Sequence, residues 1–157
     1  MPYWRETVFG RMGIEEQDGF LTRIWLPGRG EGEAQAPEPP VVREAFRQLE
    51  SYFAGTLTTF DLPLKPKGTP FMLRVWDALC QVPYGATASY KDIAVAVDSP
   101  RACRAVGLAN NRNPLPIVIP CHRIVGSNGS LVGYAGGLGM KERLLELERS
   151  QRDAHGR

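Results

Sequence analysis

Apolar positions in the first part of the chain follow the two-residue period of β-strands. Residues 4–9 alternate between apolar and polar side chains, and residues 20–26 form an apolar run. Gly10, Gly13 and Gly19 have the character of turn residues between these segments. The pattern predicts a small antiparallel sheet at the N-terminus.

A helix is predicted next, after a polar connection. Residues 27–40 contain Gly, Pro, Glu and Gln but no apolar side chain larger than Ala, which is typical of a surface loop. Beyond this loop, apolar residues recur at helical spacing until Gly55 ends the pattern. The positions are Val42, Ala45, Phe46, Leu49 and Phe53. We expect this helix to cover one face of the sheet.

A short connector divides the chain. Residues 62–68 hold two prolines and two lysines, which is typical of a segment between domains. We place the boundary near Lys67. The predicted domains are therefore residues 1–67 and residues 68–157.

Three helices are predicted after the boundary. Thr69 and Pro70 suit the N-cap and the first position of a helix. Ser89 can cap a second, short helix, and Pro100 can open a third that runs toward Asn110. Two short helices joined by a tight turn are typical of a helix-turn-helix.

The third of these helices lies in the most basic part of the chain. The 157 residues carry a formal net charge of +2, but no Asp or Glu occurs between Ser99 and Lys141. This segment holds five cations, so the rest of the chain carries a net −3. The cations are Arg101, Arg104, Arg112, Arg123 and Lys141. The bias favours an anionic partner, although a segment so rich in Val, Ile, Leu, Ala and Gly could instead be mostly buried.

Arg101 and Arg104 share one flank of the third helix because they are three residues apart. Most of the neighbouring side chains are small. A slim basic helix can lie against a nucleic-acid backbone or groove. Helices of small residues also pack against other helices, so the pattern alone leaves both interpretations open.

Cysteine usage and hydropathy exclude several classes of protein. Cys80, Cys103 and Cys121 are odd in number and widely spaced, which suits neither a disulfide framework nor a zinc site, and we expect no metal. No apolar run approaches the roughly 18 residues of a membrane span, and the first residues lack the plan of a signal peptide. We expect a cytoplasmic protein that has no membrane partner and acts as a monomer.

Residues 114–123 carry the candidate chemistry. Three prolines stiffen this apolar stretch, rule out a helix there and would deliver Cys121 to a defined position. A cysteine attacks as a thiolate, which needs a nearby base or cation, and His122 and Arg123 follow directly. The residues alone leave open a reactive nucleophile, a Cys-His hydrolase pair, and an ordinary buried cysteine beside a core histidine.

Glu148 is a candidate partner for His122. It lies at the edge of the inner face of a C-terminal helix, which Met140, Leu144 and Leu147 mark. A carboxylate in that position could orient the histidine as the third member of a relay. The alternative is a solvated glutamate on the outer surface of the helix.

Together these motifs resemble those of the O6-alkylguanine-DNA alkyltransferases, also called methylated-DNA–protein-cysteine methyltransferases. The resemblance is strong over residues 71–148, and the N-terminal residues match in outline. The matching motifs are Ser89-Tyr90, Arg101-Ala102-Cys103-Arg104-Ala105-Val106-Gly107, Asn113-Pro114, Ile119-Pro120-Cys121-His122-Arg123, Gly133-Tyr134-Ala135-Gly136-Gly137, Lys141-Glu142 and Leu144-Leu145.

The resemblance implies a fold and a reaction. The fold would be α/β (α+β), with an N-terminal RNase H-like antiparallel sheet and helix and a C-terminal helical domain whose helix-turn-helix binds the minor groove of double-stranded DNA. Family members flip an O6-alkylguanine out of the duplex and move its alkyl group irreversibly to a cysteine, without a cofactor. Relatives that act only as damage sensors lack this cysteine, so Cys121 favours transfer.

The resemblance also implies catalytic roles. Cys121 would be the nucleophile and acceptor, and His122 would take its proton through a water. Glu148 would hold His122 in the useful tautomer. Asn113 would organise the turn before the active-site stretch, and Tyr90 would donate a hydrogen bond to the guanine ring.

Further residues are implied for the DNA interface and the base pocket. Arg104 would enter the space that the flipped base leaves, and the Ala135 amide would face O6. The expected DNA contacts are Arg101, Ala102, Arg104, Ala105, Gly107, Ala109 and Asn110. The expected pocket residues are Tyr90, Pro116, Cys121, Ile124, Tyr134, Ala135 and Gly136. The N-terminal residues lack the Cys and His ligands that some relatives use for zinc, and Ala135 stands where some have Ser; neither change removes the reaction.

Overall fold

The small antiparallel sheet predicted at the N-terminus is present and has three strands. The strands pair in the order β1 (Tyr3–Thr7), β2 (Gly10–Gln17) and β3 (Phe20–Trp25). The middle strand was not predicted.

The computed structural model describes residues 1–30, 32–33, 37–131, 134 and 137–155. Below, residues 1–67 are called the N-terminal lobe and residues 68–155 the C-terminal lobe.

Gly13 lies in the middle of β2 and is not a turn residue. It stands directly opposite Trp4 of β1 in the sheet register. A Cβ atom at Gly13 would lie 2.9 Å from the Trp4 ring, closer than side chains approach in real structures. The glycine therefore makes room for the indole within a continuous strand.

Helix α1 (Pro40–Phe53) packs on the sheet as predicted. Its last turn differs from the expectation, because Tyr52 is fully buried whereas Phe53 is only half-buried. Gly55 follows the helix at a φ of +81°, a conformation that glycine adopts without strain. The packing of α1 thus turns the Tyr52 side chain into the interior.

The next two helices begin at the caps expected from the sequence. In α2 (Pro70–Leu79), the Thr69 hydroxyl accepts the Met72 backbone N–H at 3.1 Å. In α3 (Tyr90–Ala96), Ser89 and Asp92 form a capping box. These local signals place both helix starts.

Helix α4 (Cys103–Asn111) begins three residues later than predicted. Pro100 does not open it, because the Ala102 N–H donates to the Ser99 carbonyl at 2.8 Å in a turn that precedes the helix. Arg101 therefore lies outside α4, and Ala102 is its N-cap residue. Helices α2, α3 and α4 pack against one another, and the Trp76 indole N–H donates to the Ala109 carbonyl at 2.8 Å.

The remaining elements close the C-terminal lobe. Strand β4 (Ala88–Ser89) pairs in parallel with β5 (Ile124–Val125), and α5 (Leu138–His155) packs beside the turn that precedes β5. Buried apolar residues of both lobes form one continuous cluster. Over the described part of the chain, none of the helices has the length and apolar character needed to cross a membrane.

Candidate active site

Asn113 shapes the stretch that leads to Cys121. Its side-chain N–H donates to the Ile119 carbonyl at 2.8 Å, and its carbonyl oxygen accepts the Leu115 N–H at 2.9 Å. These bonds hold the proline-rich loop closed, and Ile117 adopts a φ of +75° within it. The stretch was expected to exclude any helix, but its last three residues, Cys121–Arg123, form a 3-10 turn. Cys121 is delivered to a position with 4% exposure.

Glu148 lies against His122, as the relay requires. One carboxylate oxygen of Glu148 is 2.7 Å from His122 Nε2, and both side chains are buried. The other ring nitrogen, Nδ1, has no hydrogen-bond partner among the described residues. When Nε2 carries the proton and donates to Glu148, Nδ1 is the nitrogen that can accept a proton.

Two further groups bind the same carboxylate. The Arg123 guanidinium donates to both oxygens of Glu148, at 2.8 and 2.9 Å. From the N-terminal lobe, the Tyr52 hydroxyl donates to Glu148 at 2.5 Å. The carboxylate is therefore surrounded by donors that fix its orientation.

This arrangement keeps Glu148 charged and His122 neutral. Burial raises the pKa of Glu148, but the hydrogen bonds of His122 and Arg123 outweigh it and bring the pKa to about 2. Burial lowers the pKa of His122 and exceeds the opposite influence of Glu148. At neutral pH the histidine is a base that can take up a proton beside a fixed negative charge.

The Cys121 thiol lies among four polar side chains. Burial raises its pKa to about 11, and the hydrogen bond of Asn113 and the charge of Lys141 act in the opposite direction. Burial and the nearby Cys121 also raise the pKa of Tyr90 and of Tyr134. A thiol in this environment is protonated at neutral pH, so its reaction needs a base.

Of the expected pocket residues, Tyr90 and Tyr134 lie near this thiol, whereas Pro116 lines a cleft beside β3. Pro116 and Ile124 are buried. The carbonyl of Ile124, another expected pocket residue, accepts a hydrogen bond from the buried Lys141 ammonium. Ala135 and Gly136 lie outside the described residues.

The residues predicted to contact DNA divide between two faces of α4 and its cap. Arg101, Arg104 and Ala105 are exposed, and Ala102 and Gly107 are half-buried. Ala109 and Asn110 are buried, so their expected contact with DNA stays a prediction that their burial does not support. Asn110 faces the interior, where its side-chain N–H lies 3.5 Å from the Cys121 carbonyl.

Sequence patterns did not identify three residues of the candidate site, which are Tyr52, Arg123 and Lys141. Tyr52 was overlooked because an aromatic residue on an amphipathic helix has the appearance of core. Arg123 and Lys141 were noted as cations and as members of matching motifs, but neither was assigned a role in the site. A buried Lys or Arg requires a partner, so burial would have pointed to Arg123 and Lys141. The sequence alone does not show that these two residues are buried.

Two family models match the chain. The 6-O-methylguanine DNA methyltransferase ribonuclease-like domain matches residues 6–66, and the DNA binding domain of the same family matches residues 70–150. The chain therefore belongs to the 6-O-methylguanine DNA methyltransferase family, the methylated-DNA–protein-cysteine methyltransferases, which repair DNA by direct reversal.

Individual relatives agree with the family models. A constitutive methylated-DNA–protein-cysteine methyltransferase of Bacillus subtilis is 47% identical over 152 residues, which cover 92% of each chain. A methyltransferase of Methanosarcina barkeri is 64% identical over 106 residues, 68% of this chain and 67% of the relative. The crystal structure of Mycobacterium tuberculosis OGT in complex with DNA superposes with a TM-score of 0.87 at 42% identity, covering 96% of this chain and 93% of that one.

Proposed function

We propose that Cys121 accepts the alkyl group of O6-alkylguanine from duplex DNA and is used only once. The hydrogen-bonded pair of His122 and Glu148 directly after a buried thiol carries the proposal, because it leaves one imidazole nitrogen available for a proton. A thiol with a pKa of about 11 needs such a base to attack at neutral pH.

The proposed reaction is a displacement at the alkyl carbon. The thiol proton passes through a water to His122 Nδ1, and the thiolate of Cys121 forms an S–C bond as the C–O6 bond breaks. The electron pair of the broken bond stays on the guanine, which takes up a proton to become ordinary guanine. Glu148 stabilises the imidazolium. The thioether product offers no route back to the thiol, so one molecule repairs one lesion.

Helices α3 and α4 are proposed to bind the minor groove as a helix-turn-helix. Arg104 and Leu108 are both exposed on α4, which suits a helix that enters a groove and displaces a base. Arg104 would occupy the space that the flipped base leaves. The DNA complex of the Mycobacterium tuberculosis relative supports DNA as the partner.

Tyr90 is proposed to face both the base and the recognition helix. Tyr90 is the first residue of α3 and lies near Cys121. A Cβ atom added at Gly107 of α4 would lie 3.7 Å from the Tyr90 ring. Burial keeps the Tyr90 hydroxyl protonated, so it can donate a hydrogen bond to the guanine ring.

A boundary near Lys67 is supported by family models that end at residue 66 and begin at residue 70.

The test is the site and number of methyl groups transferred. The protein is incubated with an excess of duplex carrying O6-methylguanine, and its peptides are mapped by mass. We expect one methyl per protein on Cys121 and none on Cys80 or Cys103, although those two cysteines are exposed. Methyl groups on the exposed cysteines instead, or an unmodified Cys121 in a DNA complex, would contradict the proposal.

A Cys121→Ala variant is the matched control, because it removes the acceptor and leaves the DNA-binding surface intact. It should bind the damaged duplex and leave the methyl group in place. Product in excess of one equivalent from the unaltered protein would indicate a hydrolase.

A further inference from the structure

A cleft of about 500 Å³ lies between β3 and the turn that follows α4. Three arginines from separate parts of the chain line it: Arg23 on β3, Arg29 in the turn after β3, and Arg112 at the C-terminal end of α4. None of the described residues that line it is Asp or Glu. The cleft therefore concentrates positive charge where the two lobes meet.

Within the described part of the chain, no carboxylate pairs with these three guanidiniums. None of them forms an ion pair with a described residue, whereas arginines elsewhere in the N-terminal lobe do. Arg5 pairs with Glu38, and Arg47 pairs with Glu44. A positive residue at a helix C-terminus has a local explanation in the helix dipole, which applies to Arg112 but not to Arg23 or Arg29.

Arg23 is held in place without losing its charge. Its guanidinium lies 4.0 Å from the centre of the Trp25 ring. Glu15 stands opposite Arg23 in the sheet, but its carboxylate accepts the Trp25 indole N–H at 2.6 Å and makes no ion pair with the arginine. The stacked guanidinium is thus oriented and available for an external anion.

The cleft is continuous with the proposed DNA-binding helix. Asn111 and Arg112 at the end of α4 form one wall, and Pro114 fixes the opposite wall, because its carbonyl accepts the Ile24 N–H of β3 at 2.8 Å. A nine-residue helix is about 13 Å long. A duplex lying along α4 from Arg104 would therefore carry its sugar-phosphate backbone toward the cleft.

We propose that this cleft binds a phosphate of the DNA backbone beside the lesion, so that the N-terminal lobe takes part in DNA binding. The proposal rests on the proposed function only in that the partner is duplex DNA. Arginine suits this role because its planar guanidinium can donate two hydrogen bonds to one phosphate.

The salt dependence of binding tests the cleft. Dissociation constants for a duplex with O6-methylguanine are measured between 50 and 200 mM salt for Arg23→Gln and Arg29→Gln. Each lost phosphate contact should reduce the slope of log affinity against log salt by about 0.9. The loss of affinity between 50 and 200 mM salt should then be about 3.5-fold smaller than for the unaltered protein. Arg23→Lys should retain most of the slope, because it keeps the charge.

Arg47→Gln is the control for net charge. Arg47 is exposed on α1 and paired with Glu44, so this variant loses the same charge away from the cleft. Its slope should equal that of the unaltered protein. If the Arg23 and Arg29 variants also match that slope while keeping their melting temperatures, the cleft proposal is overturned.

Methyl transfer to Cys121 is scored on the same samples. A reduced slope with full methylation of Cys121 at saturating DNA supports both the cleft and the proposed function. A reduced slope with Cys121 unmodified in every sample would retain the cleft and refute the transfer reaction, so the two failures are distinguishable.

Discussion

The C-terminal lobe holds most of its proposed chemistry in short stretches of neighbouring residues, whereas the N-terminal lobe contributes single side chains. Cys121, His122 and Arg123 follow one another in a 3-10 turn. From the other lobe, Tyr52 reaches Glu148 across 96 positions of sequence. The difference indicates that the N-terminal lobe completes the proposed catalytic arrangement with a side chain that no sequence motif marked.

Replacement of Glu148 tests whether the C-terminal lobe depends on the shared carboxylate. Glu148→Gln leaves the buried Arg123 without its negative partner, so the free energy of unfolding should fall by about 3 to 5 kcal/mol. Methyl transfer should slow as well, because the His122 imidazolium loses its counter-charge. Denaturant unfolding and single-turnover kinetics measure the two effects.

Glu146→Gln is the matched control for that experiment. Glu146 lies on the same helix in an exposed pair with Arg149, and the loss of such a pair costs at most about 1 kcal/mol. Equal destabilisation by the two variants would mean that Glu148 has no special role.

Acid should weaken the same network. The pKa of Glu148 is depressed from 4.5 to about 2 in the folded protein, so its contribution is complete above pH 4.5 and is lost as the pH falls toward 2. The shift corresponds to about 3 kcal/mol. The lowered pKa of His122 adds to the loss, because below about pH 6.5 the unfolded chain binds a proton that the folded protein excludes.

Unfolding measured from pH 7 to pH 3 should therefore show stability that falls with acid, first through His122 and then through Glu148. The lower part of this dependence should be absent in Glu148→Gln. An identical profile for the variant would show that other carboxylates account for it.

Tyr52→Phe tests the contribution of the N-terminal lobe directly. It removes a hydroxyl that donates to a buried carboxylate, and hydrogen bonds to charged groups contribute about 1.5 to 3 kcal/mol. A loss of that size is expected in denaturant unfolding. The pH dependence of methyl transfer should also shift, because Tyr52 acts on the His122 and Glu148 pair rather than on the DNA.

Tyr84→Phe is a close control. Tyr84 packs against Tyr52 with ring centroids 6.2 Å apart, but its buried hydroxyl has no hydrogen-bond partner among the described residues. Its removal should cost little and leave the pH profile unchanged. If both variants behave alike, the N-terminal lobe is only a scaffold for this site.

The contrast between the lobes also explains how far the sequence could be interpreted. Helix starts at Thr69 and Ser89 were predicted because a cap is a contact between residues three apart. The pairing of His122 with Glu148 was inferred from family resemblance together with the position of Glu148 on its helix.

Other features depend on contacts that no local pattern encodes. The strand around Gly13 was missed because the glycine is required by the Trp4 ring on another strand. Asn110 was assigned to the DNA surface from family resemblance, whereas its burial depends on tertiary packing that places its side-chain N–H 3.5 Å from the Cys121 carbonyl. The arginine cleft combines residues from both lobes and has no signature in the sequence.

Methylation of Cys121 should lower the stability of the protein by the smallest amount among these predictions. The loss should be found mostly in the C-terminal lobe. The thiol is 4% exposed, and an added methyl group in a packed position costs about 1 to 3 kcal/mol. The melting temperature should therefore fall after reaction with O6-methylguanine duplex and remain constant after incubation with undamaged duplex of the same sequence. Hydrogen exchange should rise in residues 121–125 and in α5 more than in β1, β2 and β3. A uniform rise across both lobes would instead show that the tie through Tyr52 transmits the strain, and an unchanged melting temperature would show that the site has room for the methyl group.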